Sequence, residues 1–194
     1  MKKIILILAF VICSISTFGQ KSEFNLIALD STWGQEVIRF PARHMDYIGV
    51  GEVRFPPNRS WIKPKNDFFW SYTYAWSIDV TREIPSKELE LDLVKYFNSL
   101  NKIKMDSLTD SRYTTSKITK IKSRKKTTYY KGQVHIFDRF ATNKMITLNV
   151  FIESYYFKKQ QKTILLFKFS PKEFTHKTWK TLNNIKLLSS IPKN

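Results

Sequence analysis

The sequence predicts an α+β protein, a single antiparallel β-sheet with two helices packed on it, and three observations carry that prediction. Residues 68–80 alternate with period two: Phe68, Trp70, Tyr72, Tyr74, Trp76, Ile78 and Val80 fall on one side, and Ser71, Thr73, Ala75, Ser77 and Asp79 on the other. Leu89, Leu93, Phe97 and Leu100 recur at helical spacing. Beyond residue 116, four strand-like segments are joined by links too short for the crossover that parallel strands require.

Between Trp33 and Pro64 the turn residues Gly34, Pro41, Gly49, Gly51, Pro56 and Pro57 exclude a long helix. Residues 36–40 and 50–55 alternate as short strands, the second with Val53 and Phe55 on one side and Glu52 and Arg54 on the other. After the aromatic strand, Ser86 is placed to N-cap a helix, with Glu88 and Glu90 in the first turn where negative charge complements the macrodipole. A polar connection with Asp106, Ser107, Asp110 and Ser111 leads into a meander of strands at 117–122, 128–138, 145–157 and 163–169. In the third of these, Ile146, Leu148, Val150 and Ile152 face away from Thr147, Asn149, Phe151 and Glu153. Ser170 and Pro171 end the last strand, and residues 173–190 read as a second helix, with Trp179, Leu182, Ile185 and either Leu188 or Ser189 inward.

Residues 1–19 have the form of a cleavable signal peptide. Lys2 and Lys3 precede an apolar run at 4–15, too short to span a bilayer, and Thr17 and Gly19 put small residues before a cut at Gln20. A buried N-terminal strand or helix would explain the apolar run but not the lysines or the small-residue exit. The expectation is an exported protein, periplasmic or secreted, with no transmembrane segment after cleavage and one domain at 20–194. Cys13 is the only cysteine and follows Ile12, where lipidation would need a small residue. The mature chain therefore has no disulfide, thiol nucleophile or thiolate metal site, and its stability rests on its core.

Charge is unevenly distributed. Residues 20–100 carry ten Lys and Arg against eleven Asp and Glu, whereas residues 101–194 carry twenty-one against five. The densest run, Lys117, Lys120, Lys122, Arg124, Lys125 and Lys126 with Lys131 close behind, would attract phosphate, anionic lipid or acidic polysaccharide through a screened field. A plain solvated lysine face accounts for the same composition. Nucleic acid fits the charge but not an exported address, so the expected partners are an anionic envelope polymer, a lipid surface or another envelope protein.

The order of strand hairpin, helix, antiparallel meander and C-terminal amphipathic helix resembles the PsbP-like fold of photosystem accessory proteins and of a nuclear-import factor that binds the GTPase Ran. That resemblance implies a binding module, and a cystatin-like or lipocalin-like arrangement fits the same order. Trp33-Gly34-Gln35-Glu36 through Phe40-Pro41, and Phe69-Trp70-Ser71-Tyr72 through Trp76, also resemble segments of uncharacterised exported bacterial proteins.

The residues that carry chemistry are sparse. His44, His135 and His176 are not at metal-ligand spacing, and no metal or other cofactor is expected. There is no Gly-x-Ser-x-Gly elbow, Walker loop or dinucleotide fingerprint, and five glycines leave little material to cradle phosphates. The one catalytic arrangement left open is a carboxylate pair among Glu36, Asp46, Glu52 and Asp67, close in sequence to Trp33, Trp61, Trp70 and Trp76, whose rings could stack on sugars. Period two accounts equally well for Trp70 and Trp76 as core, which leaves Trp33, Glu36, Glu52 and Trp61 as the candidate ligand site. The sequence thus points to a non-catalytic binding or accessory module of the cell envelope, or alternatively to a hydrolase of an envelope or extracellular polysaccharide.

Overall fold

The computed structural model describes residues 25–43 and 45–188. The expected signal peptide and His44 lie outside those residues. In chain order the elements are β1 (Gly34–Ala42), β2 (Met45–Phe55), β3 (Tyr72–Ile78), α1 (Ser86–Leu100), β4 (Thr115–Arg124), β5 (Thr127–Asp138), β6 (Lys144–Phe157), β7 (Lys162–Ser170) and α2 (Lys177–Asn184). The strands form one antiparallel sheet in the order β1-β2-β3-β7-β6-β5-β4, confirming the α+β class.

The sheet carries one helix on each face. Alternation along β3 sends Tyr72, Tyr74, Trp76 and Ile78 to a first face, where they meet Leu89, Leu93, Tyr96 and Phe97 of α1 together with Val150, Ile152, Phe167 and Phe169. On the second face Ala75, Ile164 and Leu166 pack against Trp179 and Leu182 of α2, and against Leu26, Ile27 and Trp33. Both cores exclude water, which is why β3 and nearly all of β7 are buried along their length. Gly132 is fixed by close approach: a Cβ there would lie 2.1 Å from the Lys117 carbonyl oxygen and 2.7 Å from Ile118 Cδ1.

Three local expectations are corrected. The aromatic strand begins at Tyr72 rather than Phe68, because Trp70 turns at φ 48° and donates its N–H to the Trp61 carbonyl at 2.7 Å. Ser86 opens α1 without a capping bond, since Pro85 holds the cap position and its carbonyl accepts from Glu88 and Leu89. Among the described residues of the expected 173–190 span, the second helix covers only 177–184, and Ser189 and Ser190 lie outside those residues. The ring of His176 accepts from the Thr178 N–H at its start, and at its end Ile185 is already extended, at φ −72° and ψ 129°. Thr181, Asn183 and Asn184 are weak helix formers. The extended tail instead gains backbone partners from the N-terminal segment: Ala28 donates to Lys186 at 2.9 Å and Leu188 to Leu26 at 2.8 Å.

Candidate anion-binding cleft

Because α2 is short and lies over β7, it leaves the outer part of the second face uncovered. β5 shows the result in its alternation: Tyr130, Val134 and Ile136 are buried beneath α1, whereas Lys131, Gln133 and His135 are exposed on the other side. Where the open face meets the α2 segment there is a cleft of about 340 Å³. Tyr129, Lys131, Phe151, Glu153 and Lys168 form its floor, and Phe174, Asn183 and Lys186 its wall.

Strand register builds the floor. Lys131, Phe151 and Lys168 are successive cross-strand partners on β5, β6 and β7, so they form one row running across the strands. The next row holds Tyr129, Glu153 and Leu166. Lys168 is buried among apolar neighbours and reaches Glu153 Oε1 at 2.5 Å, while the Tyr155 hydroxyl donates to Glu153 Oε2. Burial pushes the Lys168 pKa down; Glu153 opposes this, and Lys186 across the cleft adds to the lowering. Burial likewise pushes the Tyr155 hydroxyl up, so it stays a donor. The cations also sit over rings: Lys131 Nζ lies 4.4 Å from the Phe174 centroid, Lys168 Nζ 5.8 Å from that of Phe151, and Lys122 Nζ 5.5 Å from that of Tyr129.

An ammonium has three donors, and among the described residues Glu153 is the one hydrogen-bond acceptor of Lys168. Two N–H bonds therefore remain at a site that lines a cleft and carries three lysines against one carboxylate. Such an arrangement can hold an anion: the lysines neutralise it, the rings cover its apolar parts, and Glu153 and Asn183 accept from its hydroxyls.

The four residues expected to bind ligand do not form one site. Glu36 pairs across the sheet with Val53 and shares the first face with it, where it meets Arg43 at 3.7 Å. Glu52, paired with Val37, points to the second face and is fully buried. Its carboxylate is satisfied by the backbone N–H groups of Leu26 and Ile27, Gln35 Nε2 at 3.0 Å and Arg54 Nε at 2.5 Å. Asp46, with Lys95, and Asp67, with His176 and Lys177, are in separate surface contacts. Trp33 is core, edge-on to Phe68 and 8 % exposed. Trp61 is half-buried, stacked on Phe55 at 4.9 Å and edge-on to Trp70 and Phe140.

The basic run is split as well. A bulge at Ile121 breaks the alternation of β4, leaving Lys117, Lys122 and Arg124 on the second face. Lys120 is turned to the first, where it binds Glu83 at 2.7 Å. Lys125 and Lys126 occupy the following turn, beside a shallow hollow that also contains Glu83 and Tyr156. Lys168 and Glu153 were not singled out from the sequence. Their signal was a single lysine within Thr163-Ile164-Leu165-Leu166-Phe167-Lys168-Phe169 and a single acid, Glu153, inside the largely apolar and aromatic strand before it, one charge of each sign in adjoining strands.

Titratable groups also converge between β2 and α1. The Tyr47 hydroxyl lies 2.6 Å from Asp92 and 2.9 Å from Glu88, and Arg82 grips Glu88 at 2.9 Å. Arg82 holds the Glu88 carboxyl below its ordinary range, whereas burial raises that of Asp92 to about 6. His135 and His176 are engaged with Thr147 and Thr178, and no group of three His, Cys, Asp or Glu comes together among the described residues.

Comparison of the chain with protein-family models, with curated proteins and with solved structures gives no match. Among the described residues, no helix is long and apolar enough to cross a membrane.

Proposed function

We propose that this protein is a non-catalytic binding or accessory module of the cell envelope, and that the cleft beside α2 holds an anionic ligand. The observation that carries the reading is Lys168, a buried ammonium with donors to spare, at a cleft edged by Lys131, Lys186 and three rings. Delivery to the periplasm or the exterior is supported by the two lysines, apolar run and small-residue exit at 1–19. The order of three strands, helix, four-strand meander and helix supports a PsbP-like architecture.

Binding of the chain from Gln20 to envelope glycans, peptidoglycan fragments and anionic lipids, at low and physiological salt, tests the proposal. Binding that survives physiological salt and is lost in Lys131→Ala with Phe174→Ala, but kept in Trp61→Ala, is expected. The proposal fails if nothing binds, or if Trp61→Ala abolishes binding while the cleft substitutions leave it intact.

A further inference from the structure

The row that forms the cleft floor does not stop at the cleft. On β4, Thr119 is the cross-strand partner of Lys131, extending the row Thr119-Lys131-Phe151-Lys168 to the sheet edge. Lys122 ends the neighbouring row beside Tyr129 and Glu153, and Lys117 ends the row on the other side, beside Gln133 and Asn149. Lys117, Thr119, Lys122, Lys131 and Gln133 are all exposed. Three strand spacings separate Lys168 from the edge, roughly 14 Å.

We infer that this row is a track for a linear acidic polysaccharide, with one acidic unit in the cleft and the chain leaving over β4 between Lys117 and Lys122. The inference rests on the cleft being the ligand site. The chemistry of the track selects the polymer. Lys168 at the inner end of the row, Lys131 within it, and Lys117 and Lys122 on either side of its exit suit carboxylates repeated along a chain. Tyr129, Phe151 and Phe174 offer rings to sugar faces. Glu153 in the cleft and the carbonyl of the exposed Gln133, whose amide donates to Asn149, are acceptors for the neutral hydroxyl donors that an acidic sugar carries beside its charge. A lipid surface would need several apolar side chains standing out from the face, yet Ile48, Leu91 and Leu108 lie off the track, and beside its exit Ile121, in the β4 bulge, is a single exposed apolar residue next to Lys122.

Isothermal titration of the chain from Gln20 with an oligogalacturonate dimer and decamer tests the track, with an uncharged decamer, single-stranded DNA of equal charge and anionic vesicles as comparisons. The decamer is expected to bind about tenfold or more tighter than the dimer, with a steeper loss of affinity on adding salt. Lys117→Gln with Lys122→Gln removes that advantage, lowering decamer affinity far more than dimer affinity, while Lys131→Gln weakens both. If dimer and decamer bind equally, or if the double substitution leaves the decamer unaffected, the track is refuted and the cleft survives. If neither binds but small anions still compete for the cleft, the polysaccharide assignment is wrong. DNA or vesicles binding as tightly as the acidic decamer would overturn it too. If no anion of any kind binds, the cleft reading itself fails.

Discussion

Replacing Glu153 by Gln removes the charge that compensates Lys168 while keeping its shape. The two side chains are 6 % and 1 % exposed, and their charged atoms are 2.5 Å apart. Removing one partner of so buried a pair costs about 3–5 kcal/mol, because the remaining charge stays desolvated. Against a total stability of about 5–15 kcal/mol, and with a urea dependence of about 1–3 kcal/mol per molar, the midpoint of unfolding should fall by roughly 2 M. Tryptophan fluorescence reports the transition, since Trp33, Trp70, Trp76 and Trp179 are all core. Burial holds the Lys168 pKa below the ordinary lysine value even beside Glu153, so the folded chain gives up that proton more readily than the unfolded one. In Glu153→Gln that bias is no longer opposed, and the lost stability should return as pH rises towards about 10, where the unfolded lysine also deprotonates. Lys168→Met with Glu153→Leu removes both charges and should be near neutral. A loss below about 1 kcal/mol in Glu153→Gln, or a double variant as unstable as the single one, would show that Lys168 is not a buried, paired ammonium.

Asp92 has its pKa raised by burial from 3.8 to about 6, with Tyr47, Lys95, Glu88 and Arg82 facing it. Its contribution to stability is complete below pH 3.8 and lost as pH climbs through about 6, on the order of 3 kcal/mol at most. Asp92→Asn should therefore match the parent near pH 4 and exceed it by pH 7 in urea unfolding; a difference that stays constant with pH would contradict this. Gly132→Ala should cost about 1–3 kcal/mol, read as a lower thermal midpoint, because the added methyl meets the Lys117 carbonyl rather than a movable side chain. Trp33→Ala should cost about 3–5 kcal/mol as a core truncation, so binding lost in that variant must be checked against its fold by circular dichroism before it is assigned to a ligand contact.

The fold was legible because its signals are local. Alternation in β3 and β6 and the stripe Leu89, Leu93, Phe97 are properties of consecutive residues, and they gave element types and faces. Helix α2 was over-extended because Ile185 continues a 3.6-residue spacing, while the bonds that straighten the chain there come from Leu26 and Ala28 at the other end of the sequence. The site was less legible for the same reason. Glu36 and Glu52 look like a pair by proximity in sequence, but register sends them to opposite faces; Lys168 and Glu153 meet only through the β6 and β7 pairing. The basic run looked continuous until the bulge at Ile121 divided it.

The strand order has a consequence for how the chain acquires its shape. The last strand among the described residues, β7, occupies the middle of the sheet, and β1-β2-β3 and β4-β5-β6 are joined by strand pairing only through it. Each trio can form its own hairpin ladders, but neither has its full partner surface until residues near the C-terminus arrive. Contacts so distant in sequence are slow to form, and during N-to-C synthesis they are the last to become available. A chain still lacking β7 has no strand pairing between the two half-sheets, and Tyr72, Tyr74 and Trp76 lack the cover of Phe167 and Phe169. Closure of the sheet therefore waits for β7, a delay written into the topology itself.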